Sequence, residues 1–281
     1  MAAADLESEY SPRTSVPDCD EIFARWAREA ELYRAETLKA GRAELGLSYG
    51  DTPRQIIDLF LPKAGEGAPL ALFIHGGYWR AFDPSFSSQV ARGLNQHGIA
   101  IAVIGYDLCP IVTIGDIIEQ IRRASVFLWT RFGKPMLVCG HSAGGHLAAA
   151  TVATDWQALY PKAPADLVPA GFAISGVFDL RPLVNFSLNQ DLRLSAEEAQ
   201  RLSPLLWPVP SGRMLDVTVG DLESAAFKSQ SRTMADTWRQ AKAETRYVEY
   251  PGNHFTVIDA LTDPSNAMVT RIAELTQRLK S

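Results

Sequence analysis

Short apolar runs that alternate with helix-like stretches, beginning near residue 55, constrain the fold of this chain more than any other feature. Runs of this length and composition are typical of strands that are buried on both faces of a sheet. They cover residues 56–61, 70–74, 99–104, 136–139, 171–174, 217–219 and 247–250. Because strands that alternate with helices form parallel sheets covered on both faces, we predict an α/β fold with a mostly parallel central sheet.

Three stretches carry helical signals, and they are residues 20–40, 114–132 and 264–279. The first has apolar side chains at helical spacing and ends before Gly41. The second follows Thr113, with Asp116 three residues later, as in a capping box. We therefore predict one domain over residues 1–281, with a helical leader at about residues 1–50.

Residues 178–212 interrupt the alternation of strands and helices. This segment contains several leucines and Trp207. Its prolines are Pro182, Pro204, Pro208 and Pro210. Because the segment is too long for a simple loop and too short for a domain, we predict a small lid over the C-terminal edge of the sheet.

The charge balance and the start of the chain exclude several classes of protein. Lys and Arg are scattered and number 27 against 32 Asp and Glu, so the net charge of −5 offers no basic face for nucleic acid. No apolar run approaches the ~18 residues of a membrane helix. The first residues lack the basic and apolar regions of a signal peptide. We expect a soluble, cytoplasmic protein that binds neither nucleic acid nor a membrane.

The three cysteines are widely spaced and form no Cys-x-x-Cys pair. They are Cys19, Cys109 and Cys139. This spacing predicts neither a disulfide framework nor a zinc site. We expect the protein to need no metal and no other cofactor.

The strongest functional signal is Gly-His-Ser-Ala-Gly at residues 140–144, which follows the run at 136–139 and precedes small residues at 145–150. A G-x-S-x-G sequence between a strand and a helix forms the sharp turn that presents the nucleophilic serine of α/β-hydrolases. The turn also places the N–H of Ala143 at a helix start, where it can stabilise an oxyanion. We predict a serine hydrolase of the α/β-hydrolase fold whose nucleophile is Ser142.

A second glycine motif, His-Gly-Gly-Tyr-Trp at residues 75–79, directly follows a predicted strand. In α/β-hydrolases the loop at this position supplies the other oxyanion donors, because glycines let backbone N–H groups approach the substrate. We expect Gly76 and Gly77 to form the oxyanion hole together with Ala143. His75 is expected to hold the shape of the loop.

A serine nucleophile needs a histidine base and an orienting carboxylate, and in this fold both follow the serine in the chain. Of the five histidines, only His254 lies well after Ser142, in a turn behind a predicted strand. The acid should follow the strand at residues 217–219, where both Asp221 and Glu223 are available. Asp is the usual residue in this role, which mildly favours Asp221, but position alone does not separate the two.

Several local patterns together resemble the kynurenine formamidase (arylformamidase) group of α/β-hydrolases. They are the motifs at residues 75–79 and 140–146, Ser-Gly-Val-Phe-Asp-Leu at 175–180, Glu-Ser-x-x-Phe-x-x-Gln-Ser at 223–231, Asn-His-Phe at 253–255, Glu-Tyr-Ser-Pro-Arg at 9–13 and Tyr-Gly at 49–50. The resemblance spans nearly the whole chain. It is specific to this group, because the hormone-sensitive-lipase group usually has His-Gly-Gly-Gly where this chain has His-Gly-Gly-Tyr.

The resemblance implies Glu223 as the acid, because the group's acid stands four residues before the Phe of its Phe-x-x-Gln-Ser segment. The group's animal members have Asp there, so Glu223 departs in length, and Asp221 stays as the alternative acid. Carried over residue by residue, the implied triad and oxyanion donors are Ser142, Glu223, His254, Gly76, Gly77 and Ala143. The implied reaction is hydrolysis of N-formyl-L-kynurenine to formate and kynurenine, without metal or organic cofactor.

Aromatic residues near the motifs and in the predicted lid are candidates to hold an aromatic leaving group, although for most of them individually the expected role is packing in the core or lid. They are Tyr78, Trp79, Phe82, Phe178, Trp207 and Phe255. The expected partner is a small-molecule substrate, either an aromatic formamide or a short acyl ester. A homodimer is compatible with the sequence, which does not determine the oligomeric state.

Two other functions are weighed against the formamidase. A broad short-chain carboxylesterase would use the same residues and differ only in the leaving group. A non-catalytic binding protein of the same fold would typically lack a triad member, and here serine, histidine and acid are all present.

Overall fold

An eight-stranded sheet forms the centre of the protein in a computed structural model that describes residues 3–279. The strands, β1 to β8 in chain order, are Ala43–Ser48, Ile56–Phe60, Leu70–Ile74, Ala100–Ile104, Leu137–His141, Ala170–Ile174, Met214–Gly220 and Tyr247–Tyr250. Their spatial order is β1-β2-β4-β3-β5-β6-β7-β8. The pairs β1–β2 and β2–β4 are antiparallel, and every later pair is parallel. The predicted, mostly parallel sheet is confirmed.

Helices pack on this sheet from both sides. The α-helices, α1 to α11 in chain order, are Ala3–Tyr10, Pro12–Ser15, Cys19–Lys39, Ala91–Gln96, Ile114–Phe132, Ala143–Val152, Trp156–Leu159, Asn189–Leu192, Ala196–Arg201, Ala225–Gln240 and Ala267–Gln277. Short 3-10 helices lie at Gly65–Gly67, Pro84–Phe86, Ser88–Val90, Arg181–Asn185, Pro204–Leu206 and Thr256–Thr262. The sheet separates two hydrophobic cores, because Leu72 of β3 packs into one and the next residue, Phe73, into the other. None of the helices in the described part of the chain is long and apolar enough to span a membrane.

All seven predicted runs are strands, with ends that differ from the prediction by at most three residues. The eighth strand, β1, lies inside the segment predicted as a helical leader, so that prediction is wrong for its last residues. Along β1, half-buried and exposed residues alternate, because this edge strand has only one face against the core. A half-buried strand has no continuous apolar run, and the search for such runs therefore missed it.

The helix predictions hold where local signals are strong. Helix α5 spans the predicted residues, and its capping box forms: Asp116 N donates to Thr113 Oγ1 at 3.1 Å, and Thr113 N donates to Asp116 Oδ2 at 2.8 Å. The last helix begins later than predicted, at Ala267, because the Asn266 side chain accepts a hydrogen bond from Met268 N at 2.9 Å and caps the helix there.

The segment predicted as a lid, residues 178–212, consists of short helices joined by turns. Several of its apolar side chains, among them Leu183 and Leu192, are buried in the main hydrophobic core. Its residues 186–188 line the cavity described below. Its role as a lid stays a prediction.

Candidate active site

Ser142 stands in a strained turn between β5 and α6. Its backbone angles are φ 56° and ψ −118°, which a residue with a side chain rarely adopts. Such strain persists only where the surrounding structure imposes it, and it is common at active sites. The turn projects the serine from the C-terminal end of β5, with its side chain at the first turn of α6.

The glycines around Ser142 are required by close backbone packing. A Cβ on Gly140 would lie 2.0 Å from the carbonyl oxygen of Gly144, and a Cβ on Gly144 would lie 1.9 Å from that of Ile74. Both distances are far below van der Waals contact, so neither position accepts a side chain without a backbone shift. The G-x-S-x-G motif thus lets α6 approach strands β3 and β5 closely enough to form the turn.

Ser142, His254 and Glu223 form a hydrogen-bonded relay. His254 Nε2 lies 3.0 Å from Ser142 Oγ, and His254 Nδ1 lies 2.6 Å from Glu223 Oε2. The network assigns the proton to Nδ1, which donates to the carboxylate, and leaves Nε2 free to accept from the serine hydroxyl. All three residues are buried, which shields the relay from bulk water.

The second oxygen of Glu223 is also held. Glu223 Oε1 accepts hydrogen bonds from Gly220 N at 2.6 Å and from Ser175 Oγ at 2.5 Å. Ser175 is fully buried and has a positive φ of 53°, in the turn that follows β6. Both donors fix the direction of the carboxylate toward His254.

Asp221, the alternative acid, faces another way. Its side chain is exposed, and Oδ1 accepts a hydrogen bond from Gly252 N at 2.9 Å. This contact joins the turn after β7 to the turn that carries His254. The carboxylate that contacts the imidazole is therefore that of Glu223, and Asp221 contacts only the backbone of the turn.

Three other histidines around the site are buried and neutral. Burial lowers the pKa of His75 and of His146 to about 4, and it holds the pKa of His141 well below its usual value. His141 Nε2 lies 2.7 Å from the carbonyl oxygen of His254, and His146 Nε2 lies 2.8 Å from that of Leu202. These rings position backbone segments, and within residues 3–279 none of them forms a hydrogen bond with Ser142 Oγ.

The loop after β3 lies against Ser142. A Cβ on Gly76 would lie 3.0 Å from Ser142 Cβ, and Gly77 has a φ of +101° that favours glycine. His75 stacks on Tyr106, with ring centroids 4.3 Å apart, and Tyr106 Oη donates to the His75 carbonyl oxygen at 2.9 Å. The expected shape-holding contacts of His75 are thus present.

The backbone N–H groups at this loop and at the start of α6 are available to a substrate. Over residues 3–279, those of Gly76, Gly77 and Ala143 donate to no protein acceptor. Unpaired N–H groups in such a position can stabilise an oxyanion. Within the same residues, no group of three or more His, Cys, Asp or Glu side chains is arranged to hold a metal ion.

A cavity of about 300 Å³ opens beside Ser142 and His254, and eight aromatic residues are part of its wall. The aromatic residues that line it are Phe23, Trp26, Phe73, Tyr78, Phe82, Phe86, Phe186 and Phe255. Three of these, Tyr78, Phe82 and Phe255, are among the candidates from the sequence. Phe23 packs edge-on against Phe82 and Phe255, with ring centroids 5.3 and 4.9 Å away.

The other three aromatic candidates lie outside this cavity. Trp79 is fully buried and packs edge-on against His146, with centroids 5.1 Å apart. Phe178 is also fully buried, and its backbone N–H donates to Gln230 at 3.0 Å. Trp207 donates from Nε1 to the Arg201 carbonyl oxygen at 2.8 Å and does not line the cavity. Trp79 and Phe178 thus pack in the core, and Trp207 caps the end of helix α9.

Two residues of the leader helix line the cavity and were missed in the sequence. Phe23 and Trp26 stand three residues apart on one face of α3, within the stretch predicted from apolar spacing. The apolar spacing predicts that this face of the helix is buried, but it does not predict which part of the protein the face packs against. Arg25 and Trp26 both donate to Asp259, at 2.6 and 2.8 Å, and this contact helps to place the helix beside the turn that carries His254.

Comparison with known proteins agrees with this geometry. A family model described as the α/β hydrolase fold matches residues 71–258. Kynurenine formamidase of Drosophila melanogaster is 31% identical, with 91% of each chain covered, and that of Danio rerio is 27% identical over 97% of this chain and 95% of its own. Among solved structures, a candidate thioesterase from Silicibacter sp. TM1040 is 34% identical, with a TM-score of 0.86 over 97% of this chain and 99% of the other.

Proposed function

The chain belongs to the α/β-hydrolase fold family and, within it, to the kynurenine formamidase group, and we propose that it hydrolyses N-formyl-L-kynurenine to formate and kynurenine. One observation carries the proposal. The relay from Glu223 through His254 to Ser142 opens into a cavity whose wall contains eight aromatic side chains, which suits an aryl formamide.

In the first half of the reaction Ser142 is acylated. His254 Nε2 takes the hydroxyl proton while Oγ attacks the formyl carbon, and the new oxyanion is stabilised by the N–H groups of Gly76, Gly77 and Ala143. Glu223 stabilises the imidazolium that forms. When the C–N bond breaks, His254 returns the proton to the arylamine, and kynurenine leaves.

In the second half water releases the formyl group. His254 takes a proton from the water while its oxygen attacks the formyl ester on Ser142, and the same N–H groups stabilise the second oxyanion. The proton then returns to Ser142 Oγ, and formate leaves. The atoms of one water molecule account for both products, and no cofactor takes part.

The cavity supports an aromatic leaving group. The ring of Phe23 contacts those of Phe82 and Phe255 beside the catalytic residues, and an aryl ring can pack against them in the offset or edge-on arrangements that aromatic pairs prefer. A formyl group is the smallest acyl group, so most of the space beside Ser142 would hold the amine side of the substrate.

The test is a comparison of kcat/KM for N-formylkynurenine and for p-nitrophenyl acetate in the same preparation. We expect the formamide to give the higher value, although the nitrophenyl ester has the better leaving group. A higher value for the ester, with little turnover of the formamide, would favour the carboxylesterase. Absence of turnover of both would contradict either reaction.

A further inference from the structure

The wall of the catalytic cavity carries charges of both signs. Of the described residues that line it, those with a charged side chain besides the histidines are Glu7, Arg13 and Arg80. A cavity for an uncharged ester needs no such groups. A charged side chain beside an apolar wall loses part of its hydration, which costs free energy. A ligand with its own positive and negative groups would compensate this loss.

Arg13 lies against the aromatic wall. Its guanidinium is 5.2 Å from the ring centroid of Phe23, which lines the cavity. One nitrogen of Arg13 pairs with Asp20 at 2.6 Å, but the two side chains are 61% and 82% exposed. An ion pair this exposed is weak, and a guanidinium has five N–H donors, so Arg13 retains donors for a carboxylate.

Arg80 lies on a second segment, and Glu7 lies on the same N-terminal segment as Arg13. Arg80 follows the oxyanion loop, and its backbone N–H donates to the Gly77 carbonyl oxygen at 3.0 Å. Its guanidinium pairs with Asp191 at 3.1 Å in a partly exposed position. The Glu7 carboxylate accepts from Ser187 N at 2.9 Å and from Ser187 Oγ at 3.0 Å, which holds it in place and leaves further acceptor sites.

The segment that bears Glu7 and Arg13 is fixed to the catalytic loops. Tyr78, next to Gly77, donates from its hydroxyl to the Tyr10 carbonyl oxygen. The Glu9 carboxylate accepts from Ala226 N at 2.7 Å, and its carbonyl oxygen accepts from Ser224 Oγ at 2.7 Å, directly after Glu223. A segment held at both loops presents its charged groups without an ordering cost at binding.

We propose that Glu7, Arg13 and Arg80 bind the α-amino-acid end of the substrate, with the guanidinium groups on its carboxylate and Glu7 on its ammonium group. The inference rests on the proposed formamidase function and names the part of the substrate that determines specificity. With the formyl carbon at Ser142 and the aryl ring among the aromatic side chains, the amino-acid tail extends away from the reacting bond toward this wall.

The experiment compares two formanilides, N-formylkynurenine and N-formyl-2-aminoacetophenone, which lacks the amino-acid tail. The variants are Arg13→Gln, Arg80→Gln and Glu7→Gln, with Arg28→Gln as the matched control, because Arg28 is exposed and does not line the cavity. We expect each of the three to lower kcat/KM for N-formylkynurenine about 10- to 100-fold more than for the tailless compound, the effect of removing a hydrogen bond to a charged group. The Arg28→Gln control should leave the ratio of the kcat/KM values for the two compounds unchanged.

A third substrate separates the carboxylate from the rest of the tail. For the α-carboxamide of N-formylkynurenine, the two arginine variants should lose their selective effect, because the charge they bind is gone. Equal losses on all substrates, or equal kcat/KM of the unmodified protein for the tailed and tailless compounds, would overturn the inference while leaving the formamidase reaction intact. Failure of the unmodified protein to hydrolyse either formanilide would instead contradict the proposed function itself.

Discussion

Glu223 Oε2 lies 2.6 Å from His254 Nδ1, across 31 residues of sequence and at the ends of adjacent strands. Asp221, only two residues before Glu223, turns its carboxylate to the backbone of Gly252 instead. The Glu side chain is long enough to reach the imidazole. It points there because its other oxygen accepts hydrogen bonds from Gly220 and Ser175. This relationship determines which of the two acids should matter for catalysis.

Replacing Glu223 should therefore be far more damaging than replacing Asp221. We expect Glu223→Gln to lower kcat by ~10⁴-fold, the effect of the comparable Asp-to-Asn change in a serine protease, because a neutral amide no longer stabilises the imidazolium. Asp221→Asn should change kcat by less than about tenfold, since it weakens one exposed hydrogen bond. Steady-state kinetics on both variants decide the matter, and the reverse ranking would transfer the role to Asp221.

Ser142→Ala should abolish turnover and leave the fold intact. Loss of a nucleophile typically lowers kcat about 10⁴- to 10⁶-fold, and only one hydroxyl is removed from the turn. The measurements are kcat with N-formylkynurenine and the far-UV circular dichroism spectrum. A variant that kept more than a tenth of the original kcat would remove Ser142 from the mechanism.

Ser175 is expected to be a positioning residue that acts through Glu223. Ser175→Ala should lower kcat roughly tenfold with little change in KM, because a hydrogen bond to a charged group contributes about 1.5–3 kcal/mol. Ser231→Ala is the matched control, since its hydroxyl is buried and has no hydrogen-bond partner within the described residues.

The double variant Ser175→Ala/Glu223→Gln makes this prediction specific. If Ser175 acts through the carboxylate, its removal should have little further effect once Glu223 is Gln. Losses in kcat that simply multiply would show an independent role for Ser175. A KM change as large as the kcat change would also contradict a positioning role.

Stability should fall as the pH drops below about 6.5. Burial lowers the pKa of His75 and of His146 to about 4, so between these values the unfolded chain binds protons that the native protein does not. Their stabilising effect is complete above pH 6.5 and is lost as the pH falls toward 4, at up to about 1.4 kcal/mol per pH unit for each histidine. Urea unfolding at several pH values measures this slope, and a constant free energy of unfolding from pH 7 to 5 would contradict it.

Activity should survive dialysis against EDTA. The proposed reaction uses side chains and backbone groups alone, and the described residues hold no cluster of metal ligands. The measurement is kcat/KM before and after dialysis, with zinc and manganese added back in parallel. Loss of activity that either metal restored would show that the mechanism is incomplete.

Local features of this protein could be predicted from the sequence because neighbouring residues determine them. The buried strands appear as apolar runs, helix α5 begins at its capping box, and the glycines around Ser142 permit the turn that the motif predicts. His254 could be chosen because the chain has only five histidines and the fold orders the triad.

The choice of acid and the walls of the cavity depend on tertiary structure. Asp221 and Glu223 are equivalent in position along the chain, and only the hydrogen bonds from Ser175 and Gly220 turn Glu223 toward the imidazole. Likewise Phe178 is buried in the core while Phe23, from a helix more than a hundred residues before Ser142, lines the cavity. An apolar pattern predicts that a side chain is buried, but not which residues surround it. Those neighbours depend on contacts between segments that are distant in the chain, and the local sequence does not determine these contacts.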